Sequence, residues 1–285
     1  MELNFVEIFK AIIFGIVEGV TEWLPISSTG HLILLNRIVT LNLSEAFWSL
    51  FEVVIQFGAI LAVVVLFWKQ IFPFGKKNNS HPLAEQGIFA YVKTDIFILW
   101  FKITVACIPA AFAMLFDEEL EALFYNYQTV AASLIVFGVA FIVIENRNQD
   151  KTAKIKNISD ITYKIAFIIG IFQLIAAIFP GTSRSGATII GALLLGVSRP
   201  AAASFTFYLA IPAMFGASLL KIAKFGLDFS YQELTILIFG MSAAFAVSLL
   251  TISFLMNYVK KHDFKIFGWY RIILGIIVLI IYAGS

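Results

Sequence analysis

Residues 18–31 read EGVTEWLPISSTGH, a polar segment inside a strongly apolar chain. The 285 residues are 60% hydrophobic and only 13% charged, and 30 of them are Phe. A soluble domain could not bury so many large apolar side chains, so the composition predicts an integral membrane protein. The polar segment therefore lies where charges are costly, and we expect it to have a function.

Apolar runs predict about six transmembrane helices and an all-α fold. They cover residues 46–68, 95–116, 130–144, 200–220, 233–259 and 272–283. A helix needs roughly 20 residues to cross the hydrocarbon core. The runs 130–144 and 272–283 are shorter, so we expect them to borrow interfacial flanking residues such as Tyr127, Tyr270 and Arg271.

The sequence also repeats itself. GIVEGVTEWLPISS at 15–28 aligns with GIFQLIAAIFPGTS at 170–183, which pairs Gly15 with Gly170 and Ser28 with Ser183. Both copies run from an apolar helix through a proline to a hydroxyl cluster. We predict two repeats, 1–150 and 160–285, each with three spans and one broken helix pair.

Each broken pair is predicted to be re-entrant. Proline interrupts a helix because it lacks a backbone donor. The pieces on either side, about 5–23 and 31–41, are too short to span comfortably, as are 165–180 and 187–197. Such pairs enter and leave on one side, where protein or a polar cavity satisfies the exposed backbone.

The charges predict the orientation. Segments 69–94, 145–164 and 260–271, with residue 199, carry fourteen of the twenty Lys and Arg residues. The opposite side keeps Lys10, Arg37, Lys221, Lys224 and the acidic loop 117–121. The positive-inside rule makes the first side cytoplasmic. Both termini then face outward, and the second repeat is inverted relative to the first.

Glu18 and Glu22 are four residues apart and share one helix face. A charge at membrane depth costs at least about 2.5 kcal/mol. Either the two carboxylates bind a divalent cation or transfer protons, or one of them pairs with a base elsewhere. A shared cation would remove their mutual repulsion.

Ser27, Ser28 and Thr29 precede a new helix, where hydroxyl side chains are usual as N-caps. Capping does not explain His31, whose imidazole can act as general base or nucleophile near neutral pH. A packing histidine is the alternative. Its position after Glu22, across a chain reversal, favours a function.

The second polar segment, PGTSRSGAT at 180–188, suits an anion. Arg184 can hold a phosphate through paired hydrogen bonds, or it can neutralise Glu18 or Glu22. Glycines permit close backbone approach, and the following helix N-terminus attracts anions. The other expected phosphate-binding residues are Gly181, Ser183, Ser185, Gly186 and Thr188, with Ser28 and Thr29 from the first segment.

Together the two segments, EGVTEWLPISSTGH and PGTSRSGAT, resemble the undecaprenyl pyrophosphate phosphatase family of bacterial membrane enzymes, also called bacitracin resistance proteins. The similarity extends over essentially the whole chain. It implies a C55 polyprenyl diphosphate substrate, a monophosphate carrier lipid for peptidoglycan as product, and a location in the bacterial inner membrane.

By matching positions, the resemblance implies that Glu18 and Glu22 form the acidic pair and that Ser27 or His31 is the nucleophile or base. It also implies that Arg184, with Ser183 and Thr188, clamps the diphosphate. A divalent cation, magnesium or calcium, is implied as the cofactor, held by Glu18 and Glu22. We further expect the site to open to the extracytoplasmic face.

Two other functions remain as alternatives. Inverted repeats with polar midplane segments are typical of transporters, so a polyprenyl-phosphate lipid flippase is the main one. A type-2 phosphatidic acid phosphatase is disfavoured, because no histidine follows Arg184 as its closing motif requires. The expected partners are the lipid substrate, membrane lipids and, as one option, a second copy in a homodimer. No nucleic-acid partner is expected.

Overall fold

The computed structural model describes residues 4–75, 79, 81–149 and 151–283. In this part of the chain no β-strand occurs, and the ordered elements are α-helices and three 3₁₀ turns. The helices are α1 Phe5–Thr21, α2 Ser28–Ile38, α3 Glu45–Leu66, α4 Trp68–Ile71, α5 Thr94–Ala113, α6 Asp117–Phe124, α7 Tyr127–Asn148, α8 Tyr163–Ile178, α9 Arg184–Leu194, α10 Arg199–Phe225, α11 Tyr231–Tyr258 and α12 Lys265–Ala283. The 3₁₀ turns are Ile88–Tyr91, Met114–Phe116 and Ile158–Asp160.

Six of these helices are long and apolar enough to cross a membrane: α3, α5, α7, α10, α11 and α12. The prediction of an all-α integral membrane protein with about six spans is thus confirmed. The sequence predicted an acidic loop at 117–121. This prediction is wrong, because these residues are helical and form the first part of α6. Lys76 and Lys77, counted in the basic segment 69–94, lie outside the described residues.

The two short apolar runs extend as expected by borrowing flanking residues. Helix α7 begins at Tyr127, and α12 begins at Lys265 and contains Tyr270. Arg271 corrects the prediction, because it is neither in a basic loop nor at an interface. It lies inside α12 and is fully buried.

Side chains at the helix starts explain several of these boundaries. Ser44, Asn126 and Thr162 each accept a hydrogen bond from the backbone N–H three residues on, which caps α3, α7 and α8. Ser230 and Glu233 form a reciprocal capping box at the start of α11. Each cap satisfies a donor that has no partner within the helix.

Helix packing follows a matched pattern in the two halves. Helix α1 packs against α11, and α8 packs against α5. In both contacts a glycine lets the helices approach closely. A Cβ on Gly15 would collide with the carbonyl of Gly240, and a Cβ on Gly170 would collide with the carbonyl of Ala106. The aligned glycines therefore have equivalent packing roles. The inversion of one half, and the division into 1–150 and 160–285, stay predictions.

The helix that follows the second break is enclosed by protein. In α9, every residue from Ser185 to Leu193 is buried, against α8, α10 and α7. The only buried residues of α2 are Ser28, Gly30 and Leu32. Helix α9 thus lies in the protein interior, whereas α2 keeps an exposed side.

Candidate active site

The first polar segment forms a tight connection between α1 and α2. Helix α1 ends at Thr21, and Glu22 still has helical backbone angles. Ser27 adopts φ +73°, a conformation that glycine favours, and its Oγ accepts the backbone N–H of Gly30 at 3.4 Å. Ser27 therefore caps α2 and turns the chain back.

The second polar segment repeats this geometry between α8 and α9. Ser183 has φ +66°, and its Oγ accepts the backbone N–H of Gly186 at 3.2 Å. The structural equivalent of Ser183 is thus Ser27, so the alignment with Ser28 was wrong by one residue. The second connection has one more residue after its proline than the first. Arg184, the first residue of α9, therefore corresponds to Ser28, the first residue of α2.

The two segments meet at Glu22. Its Oε1 forms an ion pair with Arg184 Nη2 at 2.7 Å, and its Oε2 accepts the Ser28 hydroxyl at 2.9 Å. The Ser185 hydroxyl donates to the Glu22 carbonyl at 3.1 Å. Residues from opposite halves of the chain therefore form one buried polar cluster, as the sequence predicts.

Glu18 lies beside this cluster without a hydrogen-bond donor. The side chain is fully buried, and neither carboxylate oxygen receives a hydrogen bond within the described part of the chain. Its charged neighbours are Glu22, Glu52 and Arg184. A buried carboxylate without donors is costly, so it is expected to serve a ligand rather than the fold.

The carboxylates suit a hard divalent cation that a phosphate completes. Among the described residues no three His, Cys, Asp or Glu side chains are grouped to hold a metal by themselves. Magnesium, however, is commonly bound by one or two carboxylates together with substrate phosphates. Glu18, with both oxygens unbonded, and Glu22 are the residues that fit this mode of binding.

His31 is oriented by two hydrogen bonds. Its Nδ1 lies 2.7 Å from the Ser27 carbonyl oxygen, which can only accept, so Nδ1 carries the proton. Its Nε2 lies 2.7 Å from the Tyr270 hydroxyl. In the neutral imidazole, Nε2 then accepts a hydrogen bond from the Tyr270 hydroxyl, and this is the state that a general base needs.

Arg271 connects both polar segments to α12. Its guanidinium donates to the Pro25 carbonyl at 3.3 Å in the first segment, and to the Gly181 and Thr182 carbonyls at 3.0 and 2.7 Å in the second. A Cβ on Gly186 would lie 2.8 Å from Arg271 Nη1. The close approach of this arginine thus explains that glycine.

Other expected site residues lie at the edge of the cluster. Thr188 is buried, and its hydroxyl lies 2.9 Å from the Thr206 hydroxyl of α10, so it joins α9 to α10. Gly181 has φ +88° and packs against the Val130 backbone. Thr29 is half-buried in the first turn of α2.

Sequence reasoning missed Glu52, Tyr270 and Arg271 as neighbours of the site. Glu52 gave a usable signal, because a carboxylate in the apolar helix α3 is costly at membrane depth. Tyr270 and Arg271 gave none, because aromatic and basic residues near a helix end usually mark an interface. Both residues lie in α12, which begins at Lys265, two turns before the apolar run 272–283.

Comparison with known proteins adds an independent finding. Residues 11–277 match the family described as bacitracin resistance protein BacA. The undecaprenyl-diphosphatase of Desulfitobacterium hafniense is 61% identical over 283 residues, which cover 99% of this chain and 98% of that protein. An undecaprenyl-diphosphatase of Enterococcus faecalis is 58% identical, with 99% and 100% covered. Undecaprenyl-diphosphatase 1 of Clostridium acetobutylicum is 58% identical, with 98% of each covered.

Proposed function

Because this chain belongs to the bacitracin resistance protein BacA family, we propose that it is an undecaprenyl-diphosphatase of the bacterial cell membrane. It hydrolyses undecaprenyl diphosphate to the monophosphate carrier lipid and phosphate, which recycles the carrier for cell-wall synthesis. The observation that carries the proposed site is the buried ion pair between Arg184 and Glu22.

Arg184 and the start of α9 bind the diphosphate in this proposal. The guanidinium keeps donors beyond the one that contacts Glu22, and paired N–H groups match phosphate oxygens. The helix N-terminus adds its partial positive charge. Glu22 orients Arg184, and Ser28 and Ser185 in turn hold Glu22. Positive charge fixed in this way stabilises the charge that develops in phosphoryl transfer.

His31 takes the proton of the attacking group through Nε2. The Ser27 carbonyl fixes the tautomer, and Tyr270 occupies Nε2 until substrate enters. The attacking oxygen is a water molecule or the Ser27 hydroxyl, whose own proton is not used in capping Gly30. In either case undecaprenyl monophosphate is the leaving group. After attack by Ser27, water then hydrolyses the phosphoserine and releases phosphate. Ser27 is the N-cap of α2, which is the less buried of the two helices that follow the breaks.

Glu18 and Glu22 are the residues that would hold a magnesium or calcium ion. When bound, the cation would supply positive charge to the diphosphate oxygens. A chelator is expected to lower phosphate release, and added magnesium or calcium to restore it. Unchanged turnover after thorough chelation would contradict a cation at these carboxylates.

The proposal is tested by phosphate release from undecaprenyl diphosphate by purified protein in detergent. Arg184→Ala and Glu22→Gln are each expected to lower turnover by at least about a hundredfold, the usual effect of removing one charge-stabilising group. The matched control is Glu7→Gln, which removes the charge of a buried glutamate that lies in α1 and pairs with Lys10. Full turnover in both site variants would refute the site.

The same assay separates the enzyme from a lipid flippase. The matched helix contacts of the two halves favour a transporter-like architecture. A transporter, however, needs two compartments and cleaves no bond. Phosphate release in detergent, where no compartments exist, supports the enzyme, and its absence in a folded preparation would favour the flippase.

A further inference from the structure

A cavity of about 730 Å³ lies away from the polar segments, at the opposite end of α9. Helix α9 runs from Arg184 to Leu194, a rise of about 15 Å at 1.5 Å per residue. The ends of α7, α9 and α11 and the start of α10 line this cavity. It therefore opens on the side to which the charge pattern assigns the basic loops.

Positive charge dominates the cavity. Its described lining contains one acidic side chain, Glu145, and the basic side chains of Arg147, Lys151, Lys154, Arg199 and Lys260. The Glu145 carboxylate already has partners: it accepts a hydrogen bond from Arg199 Nε at 2.9 Å and one from the Phe264 N–H at 3.1 Å. The other four cations form no ion pair with any described carboxylate.

The basic loop is fixed onto the α9–α10 connection. Lys154 donates its backbone N–H to the Gly196 carbonyl at 2.9 Å, and the Ser198 N–H donates to the Ile155 carbonyl at 2.8 Å. The carbon chain of Lys154 lies against Gly196, where an added Cβ would be 3.5 Å from it. The lysine stem is thus placed at the cavity before any ligand arrives.

The start of α10 adds an anion-attracting group. The side chain of its N-cap, Ser198, does not cap the helix, because the hydroxyl donates to the Lys156 carbonyl at 3.1 Å. The first-turn N–H groups therefore keep their partial positive charge. Ser198, Arg199 and Pro200 place this helix end in the cavity lining.

We propose that this cavity binds the phosphate headgroup of an anionic phospholipid from the adjacent leaflet. Cationic side chains and a free helix N-terminus are the groups that hold a phosphodiester. Leu194, 46% exposed, together with Val197 and Leu195, gives the cavity an apolar wall beside the cations. A lipid can use that wall, whereas free phosphate cannot. This binding site is separate from the proposed hydrolysis.

The test measures lipid binding by native mass spectrometry of the purified chain in a neutral detergent. The ligands are phosphatidylglycerol, phosphatidylcholine and inorganic phosphate. The double variant Lys151→Gln and Lys154→Gln removes two lining charges. Its matched control, Lys156→Gln and Lys164→Gln, removes two exposed lysines of the same region that do not line the cavity.

We expect the apparent Kd for phosphatidylglycerol to rise at least about tenfold in the lining variant and less than about twofold in the control. Lys260→Gln, at a different helix end, should weaken binding in the same direction. Phosphate release should be unchanged in all of these variants, which also shows that they fold.

Three outcomes would overturn the proposal. Equal losses in the two double variants would mean general attraction to a basic surface. Equal affinity for phosphatidylcholine would exclude recognition of a net negative headgroup. Displacement of the lipid by inorganic phosphate at similar concentration would assign the cavity to a soluble anion.

Discussion

Two serines hold the backbone where L-amino acids are rarely found. Ser27 and Ser183 both have positive φ, and both cap the following helix through Oγ. This strain occurs in both polar segments, but only the first has a histidine in the next turn, since Ala187 stands where His31 would be. Strain alone therefore does not distinguish the segment that carries the proposed general base.

We predict that glycine replaces Ser27 better than alanine does. Both changes remove the cap, but alanine also keeps a Cβ in an unfavourable conformation, at a cost of about 1 kcal/mol or more. Thermal unfolding in detergent measures the difference. At Ser44, an N-cap with φ −65°, the advantage of glycine over alanine should be smaller by that amount. Equal advantages at the two sites would contradict a strained Ser27.

Glu18 is predicted to be costly for stability and necessary for activity. Glu18→Gln replaces a buried carboxyl group whose oxygens receive no hydrogen bond from the described residues, so the melting temperature should stay constant or rise. Phosphate release should fall by about a hundredfold or more. In contrast, Glu22→Gln should lower the melting temperature, because it breaks a buried ion pair. A clear loss of stability in Glu18→Gln would make Glu18 a structural residue.

For single residues, the sequence predicted which side chains form the proposed site better than it predicted which residues they contact. Two carboxylates and an arginine at membrane depth are costly unless they are paired. The sequence therefore predicted that Glu22 and Arg184 lie close together. The roles of Thr188 and Arg271 depend on which helix packs beside them. Tertiary packing decides that, and no local pattern records it.

Among the elements, glycine contacts set the distance between helices. Gly170→Ala should destabilise the protein by roughly 2 kcal/mol, since its Cβ would meet the α5 backbone at Ala106, and backbone cannot move aside cheaply. Gly15→Ala should destabilise the protein by a similar amount, because its Cβ would meet the α11 backbone at Gly240. The control is Gly216→Ala in α10, where no atom lies within 4 Å of the added Cβ. It should be neutral or stabilising by up to about 1 kcal/mol.

Thermal unfolding of the three variants in one detergent checks this prediction. Similar melting temperatures would mean that the helix contacts relax without cost.

The number of helices and the two breaks followed from the sequence, because apolar length and proline act locally. Helix ends followed less well. The apolar run 272–283 leaves out the first two turns of α12, which carry polar and aromatic residues such as Lys265, Tyr270 and the buried Arg271. Short helices such as α4 carry too few residues to give a periodic signal.

For the whole molecule, hydropathy predicts the crossings, but the direction of each half depends on both breaks being re-entrant. The contact pattern is compatible with that prediction. Helices α7 and α12 pack together, as do α3 and α10, so these two corresponding pairs meet across the two halves. A membrane side, however, is a property of the protein in its bilayer, and only the charge pattern bears on it.

We therefore predict the sidedness of two connections. In a Cys107→Ala background, which removes the one native thiol, Asp228→Cys lies between α10 and α11 and should react with a membrane-impermeant maleimide in intact cells. Asn157→Cys lies in the basic segment and should react only after permeabilisation. Both positions are exposed, so access to each depends on the membrane and not on burial. Labelling of both in intact cells would place the two positions on one side of the membrane. Because α10 is long and apolar enough to cross, α8 and α9 would then together make a second crossing, and their re-entrant assignment would fail.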